Sequence, residues 1–487
     1  MHTTMKTHLI YSLSALLVIA QSSFAQTERV TLEDVVTIAR QQSIAAKQAT
    51  TQKRTNYWQY RSFLADFKPQ LGVNGILPGF TRSFIEVVQP DGTIAFQPIS
   101  NNNSTVSLAL SQNIPLTGGS IFVQKQIQRF DNFRDNNTLY NGIPFGIGLS
   151  QPLFRFNQMK WDRKIEPLKY AEGNQQFVES MEEVALNATG FYFDLLVAQV
   201  NLQIAEKNLM NNDTLYKIAL KKLELGRISQ NDLLQLELSV LTAKKDFASA
   251  QQTAEVSSLK LRTYMGYRDE RRLDLALPTQ IVPFQIDIQK AINEAFANRS
   301  ASIGFRRRLL EAERDVDKAK KENGLNASLN AAFGLSNRGA RFSDVYVRPQ
   351  DREFVEVQFS VPIMTWGRAQ ARTETARANQ ELAKQSVEQD KLTFEQQIYT
   401  QVTLLQMLQK QVKLTSEADG IAQNRYQIAQ NRFLLGDLSV TDLGIAMQEK
   451  DRAKRDAVLA LRDYWQTYYT IRLLTLYDFE KDQKINY

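Results

Sequence analysis

The sequence predicts a mixed fold that joins a transmembrane β-barrel to a long α-helical coiled-coil barrel, built from one structural unit used twice. Three observations predict it: a gapless internal duplication, a heptad pattern sustained over many turns, and short segments of strictly alternating apolar and polar residues. In this chain of 487 residues, we expect the first repeat at residues 26–283 and the second at residues 284–487. Each repeat would contain a helix, barrel strands and a long helical hairpin.

The duplication appears at a constant shift of 210 residues. Residues 150–153 (SQPL) fall on residues 360–363 (SVPI), and residues 225–229 (LGRIS) fall on residues 435–439 (LGDLS). The apolar positions between these anchors keep the same phase. A gapless match of this length tolerates no insertion, which is how one long continuous helix behaves. The repeat therefore predicts one long helix in each half of the chain.

The heptad pattern supports the same helices. From Val184 to Leu223, apolar and small residues recur in alternating steps of four and three, broken only at Asn212, and the pattern returns from Ile398 to Phe433. A sustained period of 3.5 residues is typical of helices that supercoil around their neighbours. Each long helix would be about 100 Å in length and would be followed by a shorter returning helix. Shorter helices are predicted at residues 230–264, 441–474, 32–67 and 288–322.

The two hairpin turns carry matching helix-end signals. Gly226 and Gly436 stand where a helix C-terminus commonly places a left-handed residue. Each glycine is followed three residues later by a serine suited to cap the next helix, and then by an aspartate in the capping-box position. These pairs are Ser229 with Asp232 and Ser439 with Asp442.

Alternating segments predict the strands. They lie at residues 70–74, 106–111, 145–150, 325–335 and 355–361. Segments of about ten residues with one apolar and one small or polar face suit a transmembrane β-barrel, while a half-buried antiparallel sheet has the same period. Residues 121–129 are less regular because Lys125 and Arg129 share their apolar face, and we include them as a further strand. The sequence leaves open whether each chain contributes four or six strands.

The first 25 residues predict a secretory signal peptide, with basic Lys6, an apolar run over residues 9–20 and small residues before Gln26. Both histidines, His2 and His8, lie inside it, and the chain has no cysteine. A mature chain without either residue lacks thiol and imidazole nucleophiles and the usual zinc ligands. We therefore expect no enzyme, no cofactor and no metal site.

The charged residues point away from a nucleic-acid partner. The formal net charge of +7 is spread along the predicted helices, where basic and acidic residues alternate. Such interspersed charge is typical of solvated helix faces. A nucleic-acid surface would instead need a basic patch with interleaved aromatic residues, which the sequence lacks.

The chain resembles the TolC family of outer-membrane efflux proteins over essentially all of the expected mature sequence. The resemblance rests on residues 359–363 (FSVPI) leading to residues 366–368 (WGR), and on residues 432–436 (RFLLG) leading to residues 441–443 (TDL). The duplicated order of helix, strands, long helix, glycine turn and helix adds to it. This resemblance implies a homotrimer whose strands form one barrel in the outer membrane and whose helices form one periplasmic tunnel.

The resemblance also implies a function. Such proteins are passive exit ducts for drugs and other small toxic molecules. Their partners are further copies of the same chain, the outer-membrane lipid, a periplasmic adaptor protein and an energised inner-membrane transporter. A type I protein secretion duct of the same fold is the alternative. A structural coiled-coil surface protein would explain the heptads but not the strands or the gapless duplication.

By resemblance, the two glycine turns are the periplasmic tip, which contacts the adaptor and is held shut by polar links between helices. Phe433 stands where the best-known member of the family has a gating tyrosine, and Leu438 stands where that member has an arginine. The best-known closing links therefore cannot form here in the same way. We hypothesise that Arg227 pairs with Asp437 or Asp442; the alternative is a solvated charge at a helix end. The predicted tip residues are Gly226, Arg227, Asp232, Phe433, Gly436, Asp437 and Asp442.

Overall fold

The computed structural model describes residues 29–268, 271–278, 281 and 284–487. The predicted signal peptide lies outside the described residues, and the boundary between the repeats at residue 283 stays a prediction. The described residues form two compact units. One contains the residues up to Ala49, Val178–Ala295 and Ile398–Tyr487, and the other contains Thr50–Phe177 and Phe296–Gln397. The first unit is mainly helical, and the second carries the large sheet.

The described residues contain two very long helices, each followed by a shorter returning helix. The helices are α1 (Leu32–Gln42), α2 (Ile44–Ala65), α3 (Gln158–Glu224), α4 (Gln230–Met265), α5 (Ile288–Asn298), α6 (Ser300–Glu322), α7 (Arg368–Leu435) and α8 (Val440–Thr475). Helices α3 and α7 have 67 and 68 residues, and α4 and α8 have 36 residues each. The duplicated hairpins predicted from the gapless repeat are confirmed. None of the helices within the described residues has a stretch long and apolar enough to cross a membrane.

The two remaining predicted helices are wrong in one respect, because each is interrupted after 11 residues. Between α1 and α2, Ser43 has an extended backbone (φ −60°, ψ 151°). Its N–H donates to the carbonyl of Ala39 at 3.0 Å, and its Oγ accepts from the N–H of Ala46 at 3.1 Å. Ser43 thus ends one helix and caps the next. Arg299, extended at φ −76° and ψ 145°, separates α5 from α6 without a side-chain cap.

The heptad positions form the core of the helical unit. Ala188, Leu195 and Ala198 are buried on α3, and Ile398 and Leu405 are buried on α7. Alanines along this seam allow helix axes to approach closely. The predicted seam is therefore confirmed as the packing surface of the long helices.

A large antiparallel sheet occupies the second unit. Its strands are β2 (Gln70–Ile76), β3 (Phe80–Val88), β4 (Ile94–Ile114), β5 (Gly119–Asn132), β6 (Asn137–Leu153), β8 (Asn326–Gly339) and β9 (Gln350–Ser360). Outside it, β1 (Arg29–Val30) pairs with β7 (Asp274–Leu275), and β10 (Tyr477–Asp478) pairs with β11 (Gln483–Lys484). The predicted strand segments lie in this sheet except for Leu325 and Val361 at two segment ends, and residues 121–129 belong to β5.

The sheet has six strand positions. The hydrogen-bonded order is β2-β4-β5-β6-β8-β9, and β3 also pairs with β4. Because β2 pairs with residues 105–111 of β4 and β3 with residues 94–102, the two short strands lie end to end along one edge of β4. Strand β5 occupies the other edge. The outermost positions are therefore β2 with β3 on one side and β9 on the other.

Candidate functional site

Both hairpin turns have the geometry of a Schellman motif. Gly226 is left-handed at φ +67°, its N–H donates to the carbonyl of Leu223 at 2.8 Å, and Arg227 N–H donates to the carbonyl of Lys222 at 2.8 Å. Gly436, at φ +95°, ends α7 in the same way. A Cβ at either glycine would meet no atom within 4 Å, so the backbone conformation alone explains the choice of glycine.

Serine caps begin both returning helices. Ser229 Oγ accepts from the N–H of Asp232 at 3.2 Å, and the Asp232 carboxylate accepts from the N–H of Ser229 at 3.1 Å. At the second turn, Ser439 Oγ accepts from the N–H of Asp442 at 3.0 Å and donates to its carboxylate at 2.6 Å. Both aspartates thus serve their own helix N-termini, where negative charge is stabilising.

An apolar cluster fills the space between the four helix ends. Phe433 is one of its members and is only 5% exposed, so this side chain packs inside the chain. Lys222 Nζ lies 4.9 Å from the centre of the Phe433 ring and donates to the Phe433 carbonyl at 3.2 Å. The buried members of the cluster are Leu215, Ala219, Leu236, Tyr426, Ala429, Phe433, Leu443 and Ala446. This packing joins the two hairpins into one tip.

Arg227 and Asp437 are both exposed beside their turns. Within the part of the chain that the structure describes, the Arg227 guanidinium has no ion pair with Asp437 or Asp442. The backbone carbonyl of Asp437, rather than its carboxylate, accepts from Arg432 Nη2 at 3.4 Å. The hypothesis that Arg227 helps to close the tip therefore concerns contacts between copies of the chain and stays a prediction.

A buried polar cluster, which the sequence analysis missed, links the two hairpins a few turns from the tip. Asn208 Nδ2 donates to Asp451 Oδ2 at 2.5 Å, and Lys450 Nζ lies 3.1 Å from Asp451 Oδ1. Asn211 Nδ2 donates to the Tyr426 hydroxyl at 3.2 Å, and Lys450 Nζ lies 4.3 Å from the Tyr426 ring centre. Burial raises the pKa of Tyr426, and the Asp451 charge adds to the rise. The signal available in the sequence was Asp451, an acidic residue at a helix position that proves to be buried.

A second network, which we call the Glu182 network, is buried farther along the helical unit. Glu182 on α3 is fully buried, with Arg40 Nη2 at 2.5 Å from Oε1 and Arg472 Nε at 3.0 Å from Oε2. Arg472 also pairs with Asp478, and the Tyr487 hydroxyl donates to Glu182. One carboxylate thus ties together helices α1, α3 and α8 and the C-terminal residue.

Neighbouring charges in this network shift the pKa values of Arg472 and Asp478. Burial alone would lower the pKa of the Arg472 guanidinium, but Glu182 outweighs that effect and raises it. Burial would raise the pKa of Asp478, whereas the adjacent Arg472 and the N–H groups of Lys481 and Glu480 hold it below the ordinary value of 3.8. Arg472 and Asp478 therefore both carry their charges at neutral pH, which suits a structural link between them.

Comparison with known families identifies the group to which the chain belongs. The sequence model described as outer membrane efflux protein matches residues 98–267 and 291–475, which together are more than half of the chain. The chain belongs to this family. The predicted family, and the expectation that the chain is not an enzyme, are confirmed by this membership.

Several solved structures share the fold. The Campylobacter jejuni CmeC outer membrane channel is 14% identical with a TM-score of 0.67, covering 92% of this chain and 88% of that one. CusC is 16% identical with a TM-score of 0.64, covering 93% and 94%, and the outer-membrane channel OprN is 16% identical with a TM-score of 0.66, covering 91% and 89%. A comparison with curated proteins gave no significant match. The predicted combination of a helical tunnel with a β domain is confirmed.

Family membership fixes the general function and the location. The protein is an outer-membrane efflux channel, and its helical tunnel extends into the periplasm. Channels of this family generally form trimers and work with adaptor and pump partners. The cargo and the particular partners of this chain are a separate question.

Proposed function

We propose that three copies of this chain form the exit duct of a tripartite efflux system, which passively conducts drugs and other small toxic molecules to the exterior. Cargo would enter from a periplasmic adaptor and an inner-membrane transporter, and that transporter would supply the energy. The observation that supports this proposal best is the pair of capped hairpin turns, which end both long helices in the same geometry.

The turns offer a docking surface for the adaptor. Leu225 and Leu435 occupy equivalent positions directly before the two glycines, and they are 70% and 79% exposed. Apolar side chains that are exposed together at one end of a molecule often mark a protein-interaction surface. We assign them, together with the predicted tip residues Arg227 and Asp437, to the contact with the adaptor.

A clean deletion of the gene tests the proposed cargo class. The deleted strain is scored for sensitivity to a panel of dyes, detergents and antibiotics and, in parallel, for the proteins of the culture medium. Sensitivity with an unchanged set of secreted proteins supports small-molecule efflux. Loss of particular secreted proteins with normal resistance would overturn it in favour of type I protein secretion.

Substitutions at the tip test the adaptor contact. Leu225→Ser combined with Leu435→Ser should abolish complementation of the deleted strain and reduce crosslinking to the adaptor. The matched control is Leu414→Ser, an equally exposed leucine on α7 about 30 Å from the second turn. Full complementation by the double variant, at a normal amount of protein in the outer membrane, would contradict the assignment.

A further inference from the structure

The two halves of the chain contribute unequally to the sheet. The first half supplies β2 with β3, β4, β5 and β6, which is four strand positions, whereas the second half supplies only β8 and β9. Strand β6 precedes α3 as β9 precedes α7, in keeping with the internal repeat. Strand β2 likewise follows α2 as β8 follows α6, so the first half carries one additional strand hairpin, β4–β5 (residues 94–132).

All six positions share one apolar face. A row of apolar side chains crosses five of them without interruption, since Leu71 pairs with Leu110, Leu110 with Val123, Val123 with Ile147, and Ile147 with Phe333. These side chains are exposed in the single chain. On β9 the same face continues with the exposed residues Val355, Val357 and Phe359. The band thus runs through β5 and β6 as it does through the other strands.

The opposite face is small or polar. The neighbouring row contains Gly72, Ala109, Gln124, Gly146 and Gly334. One apolar and one polar face on every strand is the arrangement of a membrane barrel with a water-filled lumen. Strand β5 follows this pattern at residues 121–124, whereas Lys125 and Arg129 place two charged side chains on its apolar face.

Both outer edges of the sheet lack a partner strand within the described residues. Strands β2 and β9 are exposed along almost their whole length, whereas the inner strand β5 alternates between exposed and covered residues. Unpaired N–H and C=O groups are costly in lipid, so a membrane sheet must close. Six antiparallel positions place β9 and β2 in opposite directions. A second copy therefore suits these edges, because its β2 forms one more antiparallel pair with β9 of the first copy.

We propose that β9 of one copy pairs with β2 and β3 of the next, and that three copies close an eighteen-stranded barrel with six strand positions from each chain. This proposal rests on the trimer of the proposed function. At a spacing of about 4.8 Å and a tilt of about 40°, eighteen strands give a barrel about 36 Å across between backbones, against about 24 Å for twelve. The additional hairpin thus widens the outer mouth of the duct.

Disulfide trapping tests the edge pairing, because the native chain has no cysteine. Full-length variants carry one cysteine on β9 at Val355, Val357 or Phe359 and one on β2 at Leu71 or Val73. Oxidation of outer membranes should give, for at least one pair, a reducible ladder that ends at three copies. The matched control, Val123→Cys with Ile147→Cys, joins directly opposite residues of one chain and should add no mass. A ladder that is absent for all pairs, or that ends at another number, would overturn the proposal.

Labelling with a membrane-impermeant maleimide in intact cells tests whether β5 lines the barrel. Gln124→Cys on the polar face should react, while Val123→Cys on the apolar face should be protected at least tenfold. Asn330→Cys and Leu329→Cys provide the same comparison on β8. Equal labelling at residues 123 and 124 beside a clear difference on β8 would show that the hairpin lies outside lipid, and would overturn the six-strand contribution. Normal complementation in that case would leave the efflux function intact.

Discussion

Replacing Glu182 by glutamine should destabilise the helical unit strongly. This carboxylate is fully buried and faces two guanidinium groups, so the substitution leaves uncompensated positive charge on Arg472, which is largely buried, and on Arg40, which is partly exposed. Breaking a buried ion pair from one side typically costs about 3–5 kcal/mol. We expect about 3 kcal/mol, the low end, because glutamine can still accept one hydrogen bond and Arg472 keeps Asp478.

The rate of unfolding is the suitable measurement, since large proteins commonly unfold irreversibly. If the network is broken in the transition state, 3 kcal/mol corresponds to unfolding that is about 150-fold faster. Purified protein in detergent is diluted into guanidinium chloride, and the loss of tertiary structure is followed by near-ultraviolet circular dichroism. Glu183→Gln, at the next and exposed residue, should stay within about twofold of the native rate.

A second substitution separates unpaired charge from lost contacts. Adding Arg40→Gln to Glu182→Gln removes one of the uncompensated charges, so the double variant should be less destabilised than the sum of the two single variants. The reasoning is refuted if Glu182→Gln unfolds as slowly as Glu183→Gln. It is also refuted if the two substitutions in the network are additive.

Three further predictions concern the turns and the C-terminal region. Gly436→Ala should lower the stability of the α7–α8 hairpin by about 1 kcal/mol, because alanine disfavours the left-handed backbone. Gly420→Ala, inside α7, should instead raise the stability by up to about 1 kcal/mol. Hydrogen exchange measures both changes, and equal effects would contradict the conformational argument. Arg227→Glu should raise single-channel conductance in planar bilayers while Lys221→Glu leaves it unchanged, and unchanged conductance in both would refute the closing role of Arg227. Because the folded pKa of Asp478 is below 3.8, its charge stabilises the fold above about pH 4, and this contribution is lost as the pH falls through the lowered pKa. Asp478→Asn should remove that part of the acid dependence of the unfolding rate. An identical pH profile in the variant and the native protein would contradict this prediction.

Much of the architecture follows from periodic patterns. The long helices were predictable because a heptad seam and a gapless repeat restrict many residues at once, and the strands were predictable because one face meets lipid and the other does not. The turn residues were predictable because few residues adopt a left-handed backbone or cap a helix. The structure bears out Gly226, Gly436, Asp232 and Asp442 in these local roles.

Features that depend on a single tertiary contact were not predictable. The interruptions at Ser43 and Arg299 lie within otherwise helical patterns, and neither residue is a strong helix breaker. Glu182 looks like one of many charged residues on a long helix, and only the folded chain places Arg40 and Arg472 beside it. The same holds for Asp451, whose partner Asn208 comes from the other repeat.

The long helices α3 and α7 restrict how such a channel can change its reach. One inserted residue would rotate every following seam position by about 100°, whereas an inserted heptad, about 10.5 Å long, keeps the seam in phase. It must also occur in both long helices and in the helices packed beside them. A strand hairpin, in contrast, can be added at a surface turn without altering the phase of any helix. The depth of the duct therefore changes without loss of packing in whole heptads, while the width of its mouth can change by one strand hairpin.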